Sequence, residues 1–361
     1  MLSSLFNKNT KKPDTPLMDK ETKKLFKEGN IHYSKGELDQ ALEIYKKCLE
    51  QTPLIPDIHN NIGEIYLLKN DISSAIVLFN YIIKTFPDYP YGHYNMGIIY
   101  QKNGERKKAL EEFKKAIKLK PAAKFYNSLS GIYCDETNLE EAIKCLNKAL
   151  KLDPRYSLAH VNLSKIYLIR KQFNIAISHC ERAIKISPED PVIYNQLGRI
   201  YQTSGDYNRA LEFYIKVLEL SPEMVQTHYS LGNLFETKKL YSKSIYHYTI
   251  YLENSIKDLK DTPLFNELKE RVEILKNIPE FYIEQGVAFY ARGHISDAED
   301  MWKKAISINP EFISANILLG GIYEEAEEWE KAEIEYRRVL DLRPDMEGIK
   351  ASLEEVIKKK K

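Results

Sequence analysis

Residues 90–121 read PYGHYNMGIIYQKNGERKKALEEFKKAIKLKP, and this stretch carries the plan of the chain. Apolar residues recur three and four apart, as in Leu110, Phe113 and Ile117, which is the helical period. Two such runs flank Gly104, a residue suited to the left-handed cap just past a helix. Pro121 stops the second run, because proline lacks the amide donor a continuing helix needs. Working outward, Ala109 has counterparts at Ala41, Ala75, Ala142, Ala176, Ala210, Ala298 and Ala332, with Ser244 in the same phase. Most steps are 34 residues; Ala109 to Ala142 is 33, and Ser244 to Ala298 is 54. A period of this size denotes stacked supersecondary units rather than one globular core.

Nine copies of the frame begin at Thr22, Pro56, Pro90, Ala123, Ser157, Pro191, Val225, Pro279 and Ile313. Gly36, Gly205 and Gly293 share the slot of Gly104, with Asn70, and Pro53, Pro87, Pro154, Pro188, Pro222, Pro310 and Pro344 share that of Pro121. Small residues mark the helix crossings: Gly29, Gly63, Gly97, Gly198, Gly232, Gly286 and Gly320 on the first helix, with Ser130 and Ser164 in phase. Large residues fill the space between, among them Tyr45, Phe79, Phe113, Tyr214, Tyr248, Trp302 and Tyr336 on the second. Alternating small and large side chains let layers interdigitate at interior density.

The Gly97-x-x-Tyr100, Ala109-x-x-x-Phe113 and closing Pro121 pattern resembles the tetratricopeptide repeat (TPR), and it fits nine times in register. The resemblance implies an all-α fold, a right-handed TPR superhelix or α-solenoid of about nine helix-turn-helix repeats. The expected organisation is a polar N-terminal segment over 1–21, repeats one to seven over 22–258, and an inserted amphipathic helix over 259–278. Repeats eight and nine follow over 279–346, then a capping helix and basic tail over 347–361. In the insertion, Thr262-Pro263 is a helix start signal, and Leu264, Leu268, Val272 and Leu275 form the apolar stripe.

Composition narrows the function classes. The chain carries 53 basic and 52 acidic residues, net +1, which gives no support to a polyanion partner. The mixed charge argues against a helical-repeat RNA binder, which needs a basic inner face. No apolar run reaches the length of a membrane span, and the first twenty residues lack the apolar stretch of a secretory signal. Cys48, Cys134, Cys145 and Cys180 have no CxxC spacing and read as reduced packing residues of a cytoplasmic protein. His59, His93, His160 and His228 all hold the fourth position of their repeats, one per layer, and do not converge on one ion. The sequence holds no HExxH, GxSxG, P-loop or GxGxxG pattern. The expectation is no enzyme, no metal and no cofactor.

The informative positions are on the inner face of the first helices. The sixth position carries Asn61, Asn95, Ser128, Asn162, Gln196 and Ser230 in repeats two to seven. An amide offers both donor and acceptor, so a stack of them suits the backbone of an extended segment. Tyr91, Tyr94, Lys165, Arg199 and Asn233 point the same way by phase and supply anchors and charge. Toward the C-terminus this face turns acidic, with Glu236, Glu280, Glu284 and Glu324. The strings His93-x-Asn95-Met96-Gly97 and Ala159-His160-x-Asn162-Leu163-Ser164 resemble the TPR arm of O-linked N-acetylglucosamine transferases, without the catalytic domain. In that family an asparagine ladder on the concave face holds peptide, and the resemblance implies peptide binding here. The resulting expectation is an interaction scaffold that takes a peptide or partner helix in its groove. A structural subunit of a larger, membrane-associated assembly is the rival, and a second copy of the chain stays open as a partner.

Overall fold

The computed structural model describes residues 18–135, 137–255 and 262–361. Most of the polar N-terminal segment (1–17), Ile256 in the closing-proline slot of repeat seven, and residues 259–261 of the insertion lie outside the described residues. The first helices of the nine repeats run Lys20–Ser34, Pro56–Leu68, Pro90–Lys102, Ala123–Asp135, Ser157–Ile169, Pro191–Ser204, Val225–Thr237, Pro279–Ala291 and Ile313–Glu325. The second helices run Leu38–Gln51, Ile72–Thr85, Arg106–Leu119, Leu139–Leu152, Phe173–Ile186, Tyr207–Leu220, Tyr241–Asn254, Ile295–Ile308 and Trp329–Leu342. Two further helices, Pro263–Lys276 and Glu347–Lys359, complete twenty among the described residues, which contain no strand. The fold is an all-α TPR solenoid of nine repeats.

The turn between the helices of each repeat needs one residue in the left-handed region. Gly36, Gly104, Gly205 and Gly293 take it, with φ from +77° to +88°. Asn70, Thr137, Lys171, Lys239 and Glu327 take the same slot at φ of +56° to +60°. Only Asn of these five is a residue known to favour that conformation, so the other four turns carry no signal in the sequence. Their backbone bonds repeat the glycine turns: the Glu37 amide donates to the His32 carbonyl at 3.0 Å, and the Gln172 amide to Tyr167 at 2.8 Å.

In seven of the nine repeats the crossing is closed by a ring laid on a glycine. A Cβ at Gly63 would lie 2.6 Å from Phe79, at Gly97 2.6 Å from Phe113 and at Gly198 2.5 Å from Tyr214; at Gly232, Gly286 and Gly320 it would meet Tyr248, Trp302 and Tyr336 closer still. Real Cβ atoms do not approach so near, and dense packing leaves little slack. In repeats four and five Ser130 and Ser164 replace the glycine, and the ring is replaced by Leu146 and Cys180. Both serines are buried, and their hydroxyls donate to the Asn127 and Val161 carbonyls at 2.6 Å. The small residue and its partner sixteen positions on therefore trade volume within one chain.

The helices form two compact units, one ending at Pro188 and one beginning at Glu189. Repeats one to five make up the first. Repeats six to nine, the inserted helix and the terminal helix make up the second. In the terminal helix Val356 is fully buried, and Ile349 and Leu353 pack on the same core as Tyr323 and Tyr336.

The inserted helix is capped by Thr262, whose hydroxyl accepts from the Phe265 amide at 3.3 Å. Leu268, Val272 and Leu275 are buried with Ile245, Tyr248 and Tyr251 of repeat seven. Leu264 does not join them: it is 43 % exposed and lies in the lining of a cavity one turn before Leu268. The stripe is thus three residues, not four. Leu268→Asp places a carboxylate among those apolar side chains, where its charge loses hydration. Limited proteolysis should then cut first between residues 255 and 279; an unchanged cleavage pattern would show that the helix is not held by this face.

Candidate functional site

The hydrogen bonds of the ladder positions show where their amides go. Asn61 is half-buried, and its Nδ2 donates to Asn30 Oδ1 and Tyr45 Oη, both at 3.1 Å. Asn95 is only 4 % exposed; its Nδ2 donates to Asn60 Oδ1 at 2.8 Å and more weakly to Glu64 Oε1 at 3.4 Å. Asn162 repeats the arrangement, donating to Asn127 Oδ1 at 2.8 Å while its own Oδ1 accepts from Lys165 Nζ at 3.2 Å. The donors of Asn95 and Asn162 thus run back to an asparagine 35 residues earlier, in the preceding repeat. That clasp was missed in the sequence, although the fifth-position Asn60 and Asn127 are legible there as its acceptors.

Other ladder members are placed differently. Ser128 Oγ lies 3.2 Å from Tyr94 Oη, and Ser230 Oγ donates to the Gln226 carbonyl at 3.3 Å. Gln196 is 2 % exposed and its Nε2 has no partner, as is also true of Asn195 Oδ1. The residue 35 positions beyond Asn195 is Ser230, too short to repeat the clasp. Arg199 is exposed, whereas Asn233 Oδ1 accepts from the Tyr248 hydroxyl at 2.7 Å.

Tyr91 and Tyr94 gather around a cation that sequence reasoning did not single out. Lys124 Nζ stands 4.2 Å from the Tyr91 ring centre, 5.1 Å from Tyr94 and 5.9 Å from Phe125. Burial lowers its pKa, opposed by the charge of Glu64. Burial also raises the Tyr94 hydroxyl, against the bond from Ser128. Lys124 and Tyr91 share the second position of adjacent repeats, and that shared phase was the available signal.

The acidic residues farther on are engaged. Glu236 accepts from Arg271 Nε at 2.8 Å and from the Tyr248 hydroxyl at 2.9 Å, tying repeat seven to the inserted helix. Beside them a cavity of about 210 Å³ is lined by Tyr229, Asn233, Glu236, Leu264, Leu268 and Arg271. Glu284 accepts from the backbone amides of Tyr241 and Ser242 at 2.8 and 2.7 Å, capping the second helix of repeat seven from a distant position. Glu324 accepts from the Tyr336 hydroxyl at 2.9 Å. Among the described residues no three His, Cys, Asp or Glu side chains converge to hold a metal. The four cysteines are unpaired, with Cys48, Cys145 and Cys180 buried. Among the described residues no helix is long and apolar enough to cross a membrane.

The chemistry on offer within each unit is hydrogen bonding, aromatic contact and charge. The comparisons with known proteins agree with the repeat architecture. Models described as TPR repeat or tetratricopeptide repeat match residues 29–70 and 132–169, 155–223, 90–123, and 195–258 with 283–347. A search of the curated proteins returns no match. Among solved structures, a tetratricopeptide repeat protein from Parabacteroides merdae is 16 % identical with a TM-score of 0.55, over 71 % of this chain and all of that one. PilW, a type IV pilus biogenesis factor, is 19 % identical with a TM-score of 0.51, over 60 % of this chain and 97 % of that one. At such identities the likeness is one of fold. With nine copies of the helical pair, glycine–ring crossings in seven of them, and family models along most of its length, the chain belongs to the tetratricopeptide-repeat family.

Proposed function

We propose that the chain is a non-catalytic scaffold that binds an extended peptide, or a partner helix, along the inner face of its first helices. Tetratricopeptide repeats serve generally in protein–protein interaction, and the reading here concerns which face is used. The observation that carries it is a contrast between phases. The crossing phases repeat Gly or Ser, Ala and large apolar residues copy after copy. The ninth position of the first helices changes at each step: Asn30, Glu64, Ile98, Gly131, Lys165, Arg199 and Asn233. A uniform scaffold that presents a varied row of side chains is suited to reading a sequence of contacts along a partner. The clasped amides of Asn95 and Asn162 fix that row, while Tyr91, Tyr94, Lys165 and Arg199 meet the partner.

The test is capture of protein partners by the intact chain. Lys165→Glu with Arg199→Glu reverses two charges of the wall and leaves the crossings intact. Partner affinity should fall at least tenfold, which takes only about 1.4 kcal/mol. Lys114→Ala with Lys115→Ala, on the second helix of repeat three, should leave capture unchanged. Retention of every partner by the first variant and loss by the second would place binding on the second helices and overturn the reading.

A further inference from the structure

Among the described residues four repeats carry a polar bridge between the fourth position of the first helix and a residue nineteen places on, in the second helix. In repeat three it joins His93 Nδ1 to Glu112 Oε2 at 2.6 Å, and in repeat nine Asn316 Nδ2 donates to Glu335 Oε2 at 2.7 Å. In repeats five and seven both partners are histidine: His160 Nδ1 lies 3.0 Å from His179 Nδ1, and His228 Nδ1 lies 2.9 Å from His247 Nδ1. The ring centres are 5.3 and 5.1 Å apart, which is the nitrogen separation plus the two ring radii. The nitrogens therefore meet nearly head-on. That is the geometry of one Nδ1–H donating to the other ring's lone pair. A chelated ion needs both lone pairs to converge on a third point.

We propose that the His160–His179 and His228–His247 pairs are proton-released latches, each holding the two helices of its repeat together at neutral pH and loosening them in acid. The bridge requires a neutral acceptor nitrogen. With both rings protonated, two N–H groups and two positive charges face each other at hydrogen-bond distance. The charged neighbours add to the effect. Arg182 stands by the first pair and Lys243 by the second, both cations, while Tyr167 stacks on His179, Phe235 stacks on His247, and Tyr246 meets His247 edge-on. Burial, then His160 and Arg182, push His179 down to about 4; burial, then His228 and Lys243, do the same to His247. Burial lowers His160 and His228 as well.

The sign follows from linkage. A histidine whose folded pKa is depressed gives stability that is complete above the unfolded value of about 6.5 and is lost as pH falls through the folded value. The window is thus from about 6.5 down to about 4. Repeat three is an internal control whose bridge lacks the imidazole pair. His93 faces a carboxylate there, not a second imidazole, and although burial raises Glu112, the bonds from Lys115 and His93 outweigh it and hold Glu112 below its usual range.

Hydrogen exchange of the intact chain, corrected for intrinsic rates, reads this repeat by repeat. From pH 7 to pH 5, opening of 157–186 and of 225–254 should rise at least about tenfold, each depressed histidine contributing up to tenfold per pH unit. Opening of 90–119 should not rise. His179→Asn with His247→Asn keeps a polar group near Nδ1 that does not titrate, and should cut the rise in both repeats to what His160 and His228 alone contribute. An equal rise in all repeats, or an unchanged response in the variant, would overturn the proposal. Histidine Cε1 resonances of the unmutated chain give a second reading that needs no variant to fold. Each pair should hold one ring neutral to below pH 5, whereas titration of all four rings near 6.5 would also overturn it.

Discussion

Trp302→Ala is expected to cost about 3–5 kcal/mol, the range for deleting a fully buried tryptophan. Trp302 is the largest fully buried side chain among the described residues, 1 % exposed, and its Nε1–H donates to the Ile283 carbonyl at 3.4 Å. Its indole lies on Gly286, where no Cβ fits. Gly286→Ser alone should therefore destabilise by about 1–3 kcal/mol through overpacking. Repeats four and five show the other solution to the same crossing: Ser130 with Leu146 and Ser164 with Cys180. Combining Gly286→Ser with Trp302→Leu copies the repeat-four pair into repeat eight. The double variant should be more stable than the sum of its single changes by about 1 kcal/mol or more, within the range for contacting residues. Hydrogen exchange should confine the damage to repeats seven to nine, because stability in such arrays is mostly nearest-neighbour. Strict additivity, or equal loss in repeats one to three, would show that the crossing is not set by this pair.

The reason this pairing is testable is also the reason the fold was legible. Each crossing imposes the same steric demand, so residues such as Ala109 and Phe113 recur in phase, and the recurrence alone marks the repeat. Turn chemistry was legible only where a residue with a left-handed preference was used. Gly36 and Asn70 mark their turns, whereas Lys171, Lys239 and Glu327 adopt the same backbone because the packed helices on either side over-determine it. Leu264 misled for a related reason: periodicity reports which residues share a helix face, not how far the opposing surface extends.

The candidate site was harder to read, since a polar residue's phase does not say what it bonds to. Asn61, Asn95 and Asn162 were legible as one row. Their partners Asn30, Asn60 and Asn127 lie in the preceding repeat, and choosing between a clasp to that repeat and an open ladder needs the depth of each amide. The second-helix histidines His179 and His247 were overlooked in the same way. The spacing of nineteen that joins them to His160 and His228 crosses the turn, beyond the reach of a single-helix pattern.

Asn95→Ala separates the clasp from the ladder. It removes the donor to Asn60 Oδ1 on a side chain that is itself buried, and leaves that oxygen without a partner. An unsatisfied buried acceptor costs about 1–3 kcal/mol, so the variant should lose that much stability, centred on repeats two and three. Replacing both Asn60 and Asn95 by alanine removes donor and acceptor together, and should cost less than the two single changes summed. Asn61→Ala should cost less than Asn95→Ala, because a half-buried site lets water take over the bonds to Asn30 and Tyr45. Equilibrium unfolding with repeat-resolved hydrogen exchange measures the stability, and partner capture on the same samples measures binding. If Asn95→Ala leaves stability within about 0.5 kcal/mol, the change expected of a surface site, and capture alone falls, then the amide serves an incoming backbone directly and the clasp is incidental. If stability falls and capture falls only in proportion, the asparagine row holds the repeats in register. Recognition then belongs to the side chains that row positions, Tyr91, Tyr94, Lys165 and Arg199.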